Sequence, residues 1–244
     1  PTAPAFSRAL QPYWGKNRTF LPNAVQISQP PAPLTYSTDI HSAFYAQALE
    51  TYSAVANMTP EHVRIAKYWS DDPGLPGTPP GHLLAITSQI LGDSGASLAR
   101  CAEVFALSTM AVSDAFVSCW KCKYDFNFVR PITYIRENID SDWSPLLTTP
   151  PFPEYTSGHS SASGAWSQVM SDQFGYAYFF TDRTHIARTD IDGSPRSFQS
   201  FYEAADEAAV SRLYGGIHYR NSNETGIRMG RLIGKNIGFL KMKN

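Results

Sequence analysis

The sequence is short of cysteine, of net charge and of strand-like alternation, and each shortage removes a class of protein. Three cysteines in 244 residues, Cys101, Cys119 and Cys122, are too few and too odd in number for a disulfide framework. Cys119 and Cys122 form a C-x-x-C, but no second pair follows for zinc, so both are read as small packed residues of a helix. Net charge is -1. Nucleic acid and anionic membrane surfaces therefore have no global field to bind, and any anion site must be a local cluster of cations. No apolar run of about 18 residues suggests a membrane-spanning helix. No basic-then-apolar start reads as a signal peptide. The opening Pro1-Thr2-Ala3-Pro4 reads as the interior of a longer or processed chain.

What is present is ordinary globular composition, 43% hydrophobic and 17% charged, enough for a sizeable core. Residues 1–38 are proline-rich and aperiodic, which predicts an irregular arm wrapped on one helical domain over 39–244. Asp39 is a candidate cap for a helix to about Asn57. Thr59-Pro60-Glu61 starts a second helix, ending near Asp71-Asp72-Pro73-Gly74, and Pro79-Pro80 opens a third to about Leu91. Ser97 begins the longest, to about Tyr124, and Pro131 starts a short one. Residues 139–155 read as a loop, Ser157 to about Gln173 as helix, and 181–197 as an exposed loop. Phe198 to about Leu213 and Thr225 to Leu240 close the chain. The fold class is all-α, a helical bundle with an irregular proline-rich N-terminal arm. Gly226, Gly230, Gly234 and Gly238 recur every fourth residue, a stripe on one helix face. Each costs about 1 kcal/mol in a helix relative to Ala, which a close helix–helix contact offsets.

Three segments carry chemistry. In Trp120–Pro131, Lys123 and Arg130 stand seven apart, on one face if a helix persists, with Trp120 a turn earlier. In Pro151–His159, the prolines stop any preceding helix, Ser157 caps the next, and Gly158 permits close backbone approach. Free N–H groups at that helix start form an anion seat beneath His159. In Ser211–His218, Arg212 and His218 would face about 120° apart on a continuous helix, and Gly215-Gly216 offers the break that brings them together. Each segment alone is ordinary: a lone Lys or Arg is usually a solvated face, and a lone His a satisfied one. Together they supply three cations, a hydroxyl, a backbone nest and two histidines, an inventory suited to a tetrahedral oxyanion. His41, His62, His82 and His185 match no part of it and read as surface or core residues. His82, just after Pro79-Pro80-Gly81, is the one expected nearest the site.

Lys123-x6-Arg130-Pro131, Ser157-Gly158-His159 and Ser211-Arg212-x5-His218 span about 95 residues. They resemble the three-part signature of the type 2 phosphatidic-acid phosphatase and vanadium haloperoxidase superfamily. Trp120, Phe152, and Tyr68-Trp69-Ser70-Asp71-Asp72 with Gly77-Thr78-Pro79-Pro80 resemble its bacterial haloperoxidase branch, including iodide-oxidising members. The resemblance implies vanadate as cofactor and hydrogen peroxide and halide as substrates. The candidate halides are iodide and bromide, with the preference between them left open, and a small organic acceptor of hypohalous acid is a further candidate partner. His218 would be the nitrogen ligand to vanadium. Lys123, Arg130 and Arg212 would neutralise the equatorial oxygens, to which Ser157 and the Gly158 N–H donate. His159 would act as acid–base at the apical oxygen. Asp71 or Asp72 would pair with Arg212, and Trp120 and Phe152 would line the halide side. Family members tend to be longer at the N-terminal side, and the resemblance suggests export to the periplasm or outside, with a homo-oligomer open.

Two departures bear on the alternatives. Thr156 stands where the family often has proline. Ser222 stands where the phosphatase pattern has aspartate four residues after the last histidine, leaving Asn221, Ser222 or Glu224 as substitutes. The second departure weakens the reading as an acid phosphatase, in which His218 would form a phosphohistidine and His159 protonate the leaving group. A non-catalytic oxyanion-binding protein is the third reading, and scattered, solvated placement of the three cations would support it.

Overall fold

Capping side chains and prolines divide the chain into helices. The computed structural model describes residues 8–72, 74 and 78–240; Pro1–Pro4, Pro73 and Gly77, used above, lie outside them. After a 3-10 turn at Trp14–Lys16 come α1 (Ala24–Ile27), α2 (Ala43–Ala56), α3 (Pro60–Tyr68), α4 (Thr78–Asp93) and α5 (Leu98–Phe126). Then follow α6 (Pro131–Asn138), α7 (Gly158–Phe174), α8 (Phe201–Tyr214) and α9 (Arg220–Ile237). Ser42, Thr59, Ser97, Ser157 and Ser200 each accept a backbone N–H three residues on, which satisfies donors the helix start leaves free. Pro60 and Pro131 occupy first helical turns, where a missing N–H costs nothing.

Three sequence expectations change. Asp39 does not cap α2; its carboxylate accepts from the His41 N–H at 2.9 Å and Ser42 takes the cap. The last helix starts at Arg220, not Thr225, and the polar Ser222 and Asn223 of its first turn are buried, which hides it from hydrophobic periodicity. Residues 181–197 are not simply exposed loop. β1 (Phe180–Asp182) pairs antiparallel with β2 (Arg196–Phe198), and Asp182 and His185 between helices are fully buried. Three-residue strands are too short to show alternation.

α7 forms the axis, and its small residues let α5, α8 and α9 pack on three sides. The glycine stripe of α9 meets it. A Cβ on Gly230 would overlap Ser161 O and lie 2.6 Å from Ala165 N, and one on Gly234 would lie 2.5 Å from Ala165 O. Gly238 is outside the tight contact, with 3.4 Å of clearance. One apolar cluster gathers Trp69, Trp166, Phe180, Phe198 and Phe201 around α7 and α8. Cys119 and Cys122 are buried in α5, as packed residues. The stretch 98–138 contains a window apolar enough on average to cross a membrane by length and composition, and half of that window is buried inside the bundle. The arm lies along α5 and α6. Asp114 accepts from the Phe20 and Leu21 N–H groups at 2.8 Å each, and Tyr134 Oη donates to Ser37 O at 2.6 Å.

Candidate active site

Three buried cations converge at one end of α7. Lys123, in the last turn of α5, donates from Nζ to Pro153 O and Glu154 O at 2.9 Å each. α5 stops at Phe126 and Asn127 takes a left-handed backbone, φ 44°. Lys123 and Arg130 therefore do not share one helix face, as their spacing predicts; Arg130 instead turns back as the residue that starts α6. Its Nε donates to Phe152 O at 3.0 Å and its Nη1 to Ile217 O at 2.7 Å, while Nη2 is buried with no partner among the described residues. Arg212 donates to Ser211 Oγ at 2.9 Å, Ala66 O at 3.2 Å and Trp69 O. Burial pushes the Lys123 ammonium down to about 8 and both guanidinium groups to about 10. Cations held this dry, with donors to spare, are stabilised by an anion.

The start of α7 points into the same space. Ser157 Oγ accepts from Ser160 Oγ at 2.9 Å, so its own hydrogen is free to donate. The Gly158 and His159 N–H groups precede the first intrahelical bond, from Ser161 N to Ser157 O. The protein does not itself demand glycine at 158: an added Cβ would touch the Trp120 and Phe116 rings at 3.5 and 3.6 Å, ordinary contact. The Tyr155–Thr156 peptide, where proline is frequent in the family, is cis.

His218 follows the break at Gly216, whose φ of +73° suits glycine. Its Nδ1 lies 2.8 Å from Glu154 Oε1, which also accepts from the Tyr219 N–H at 3.1 Å. Its Nε2 lies 3.1 Å from Arg130 Nη1. A carboxylate on one side and a guanidinium on the other assign the proton to Nδ1 and a lone pair to Nε2. Burial, then Arg130, Lys123 and Arg212, hold this imidazole well below its ordinary range, so it is neutral. Burial raises the Glu154 carboxyl to about 7 against the pull of Arg130 and Lys123. Ser222 lies near the same carboxyl and helps lower it, and the acid sought after His218 comes from the loop before α7.

His159 stands at the rim, its side chain 16% exposed, with Nε2 3.3 Å from Asp71 Oδ2. Burial and Arg212 lower it to about 4. The expected ion pair between Arg212 and Asp71 or Asp72 is not formed among the described residues. Carbonyls at the end of α3 hold the guanidinium, Asp72 is exposed, and Asp71 turns to His159 and His82. Both carboxylates still act on Arg212 through space. Trp120 and Phe152 face each other with ring centroids 5.0 Å apart, and Phe152 lies 5.0 Å from Lys123 Nζ and 5.0 Å from Arg130 Cζ.

Sequence reasoning missed Glu154, although it lies inside the proline-framed segment that carries His159; a partner for His218 was sought only among the residues just after it, Asn221, Ser222 and Glu224. It also missed Asp182, which sits in a segment read as solvent-exposed. His82 carried a signal, its place after Pro79-Pro80.

Fold and site together give a helical bundle in which a neutral histidine offers a lone pair among three buried cations. Residues 103–242 match the family of the second helical-bundle domain of vanadium chloroperoxidase (VCPO). The chain is similar to the vanadium chloroperoxidase of Curvularia inaequalis, 25% identical over 282 residues that cover 88% of this chain and 46% of that protein. It is similar in structure to the first bacterial vanadium-dependent iodoperoxidase, TM-score 0.90 and 40% identity over 97% of this chain and 59% of that one. Holo-type bacterial vanadium-dependent chloroperoxidase shares the fold, TM-score 0.74 at 19% identity over 95% and 54% of the two chains. The chain belongs to the VCPO second helical-bundle family, and it spans about half the length of the relatives it matches.

Proposed function

We propose that this chain is the catalytic part of a vanadium-dependent haloperoxidase that binds vanadate and oxidises halide with hydrogen peroxide, iodide foremost. The observation that supports it is the pairing of an electron-pair donor, His218 Nε2, with donors lacking an acceptor, Arg130 Nη2 and the first N–H groups of α7. That set fits an anion built round a metal better than it fits water. Bound vanadate would supply a Lewis-acid centre at which peroxide is activated with no change of metal oxidation state.

The chain's own residues do the rest. Lys123, Arg130 and Arg212 bind the oxyanion and draw charge from it. Glu154 fixes the tautomer and ring plane of His218, as a carboxylate behind a metal-bound histidine does. His159, neutral at pH 7, accepts a proton when peroxide enters and returns it when water leaves. Iodide, peroxide and one proton give hypoiodous acid and water. Trp120 and Phe152 line the approach of the halide.

A carboxylate on His218 Nδ1 is also what a phosphohistidine mechanism needs. Glu154 thus removes the objection that Ser222 raised and keeps phosphoester hydrolysis as the second reading. Iodide oxidation by the apo-protein with and without vanadate, repeated in excess phosphate, separates the two. Triiodide formation that needs vanadate and is suppressed by phosphate is expected. Hydrolysis of a phosphate ester, inhibited by vanadate and without iodide oxidation, would put the chemistry in the phosphatase class.

A further inference from the structure

Behind His159 runs a buried line of polar groups that the binding of an oxyanion does not itself require. His82, in the second turn of α4, is fully buried. Its Nδ1 lies 2.8 Å from Asp71 Oδ1 and its Nε2 2.9 Å from Asp182 Oδ2. The other Asp71 oxygen lies 3.3 Å from His159 Nε2, within ion-pair reach but outside hydrogen-bond geometry, so Nε2 is a buried nitrogen whose nearest acceptor is this carboxylate. Asp182 is held in turn by the Thr184 N–H at 2.8 Å. The line therefore crosses β1, α4, the end of the α3 connection and α7.

We propose that Asp182, His82 and Asp71 form a positioning relay that holds a proton on each nitrogen of His82 and so fixes Asp71 as the acceptor for His159 Nε2. This rests on the reading of His159 as the acid–base group. Its physical basis is the cost of burying carboxylates. Asp71 has almost no contact with water, and an unpaired buried carboxylate protonates or turns to a cation, such as Arg212, which it already acts on through space. A cationic His82 donating to Oδ1 removes both escapes. Oδ2 then faces His159 Nε2, the hydrogen resides on that nitrogen, and Nδ1, without a hydrogen-bond partner among the described residues, is left to exchange protons. The left-handed backbone of Asp71, φ 52°, further limits where its carboxylate can point.

The groups facing His82 support a charged ring. Asp71 and Asp182 outweigh the penalty of burial and raise His82 to about 9. Trp69 and His185 cover its faces at 4.7 and 4.2 Å between centroids, and Tyr68 lies at 5.8 Å. His185 is lowered by burial and by His82, so it adds no second cation, and its Nε2 is 3.1 Å from Tyr68 O. His159 and Arg212 approach from the side of the active site, and Arg188 acts from beyond His185. Asp71, His82 and His185 also place ligand atoms within 4.8 Å of one another, as a cation site would. Both His82 nitrogens are already spanned by carboxylates at hydrogen-bond distance, so a cation would have to displace one of them.

The test is nitrogen-15 NMR of the histidine rings in the apo-protein, wild type against Asp182→Asn and His82→Gln, with His159→Asn for assignment. Expected in the wild type at pH 7 are a doubly protonated His82 and a His159 protonated on Nε2. Asp182→Asn should leave His82 with one proton, and His82→Gln should mix the two His159 tautomers. In the vanadate-loaded enzyme, His82→Gln should lower kcat by about 10–100-fold, the usual effect of losing an outer partner, with the KM for peroxide and vanadate affinity changed less than about threefold. A singly protonated His82 in the wild type, a His82 ring that shifts on adding Zn2+, or an unchanged His159 tautomer in His82→Gln would overturn the relay. Should His82→Gln fail to fold, the near-isosteric Asp182→Asn carries the same ring readout. Wild-type protein that binds no vanadate would instead overturn the proposed function, and the NMR of the apo-protein would still decide the relay.

Discussion

At the scale of single residues, the site is a problem of charge held out of water. Lys123, Arg130 and Arg212 are all buried, and each spends donors on backbone carbonyls while keeping others for a ligand. Glu154 is the counterweight. Its replacement by Gln keeps the size but removes the charge, and an amide can present its NH2 to His218 as readily as its oxygen. Vanadate affinity of Glu154→Gln should fall by about 10–100-fold, read by titrating the apo-protein. Glu154→Asp, with the charge but a shorter reach, should retain part of it. His82 carries a second expectation at this scale. Its folded value is raised above the unfolded 6.5, to about 9. The stability it contributes is therefore complete below pH 6.5 and is lost as pH rises to 9. Lys123 and Glu154 titrate in overlapping ranges with their own signs, so the useful quantity is a difference. The stability gap between wild type and His82→Gln, from urea unfolding, should narrow between pH 6.5 and 9. A gap that stays constant would mean His82 is neutral in the folded chain.

At the scale of elements, the contact of α7 with α9 sets how closely the first turn of α7 approaches His218. Three glycines of the stripe make it possible, because Cβ atoms at Gly226, Gly230 and Gly234 would strike the backbone of α7 rather than only a side chain that can move. Gly230→Ala should therefore destabilise by about 1–3 kcal/mol or more, as overpacking does, despite alanine's better helix propensity. Gly238→Ala, whose Cβ would meet its neighbours at an ordinary 3.4 Å, should be nearly neutral. Chemical denaturation of the two variants side by side checks the pair, and equal losses would show that the stripe is not the contact that matters.

At the scale of the whole molecule, the proposed oxyanion seat is shared among α5, the start of α6, the loop before α7, α7 itself, α8 and the turn before α9. An anion bound there ties together segments up to about 95 residues apart in sequence. Ligand that binds only the folded chain stabilises it by about 2.7 kcal/mol at one hundred times Kd. Vanadate, and more weakly phosphate, should raise the Tm accordingly. The rise should be lost in Arg130→Ala, which removes the guanidinium that bridges Ile217, Phe152 and His218.

Much of this was legible in the sequence, for a physical reason. Helix starts are local events: a hydroxyl and a proline suffice, so Thr59-Pro60, Ser97, Pro131 and Ser157 mark α3, α5, α6 and α7 without any tertiary information. The three cations and two histidines were legible because their residue types and spacing form a pattern that chance seldom assembles. The partners of those residues were not. Glu154 reaches His218 across 64 positions, and Asp182 reaches His82 across 100. No local propensity encodes which carboxylate a buried histidine meets. The same holds for Lys123 and Arg130, whose spacing suggested one helix face while the left-handed turn at Asn127 brings them together by another path. The sequence by itself determined the helices, the ions that must find a ligand, and the glycine face that must find a helix. The tertiary structure alone decided which acid faces which base, because those pairings depend on desolvation, and desolvation exists only once the bundle has closed.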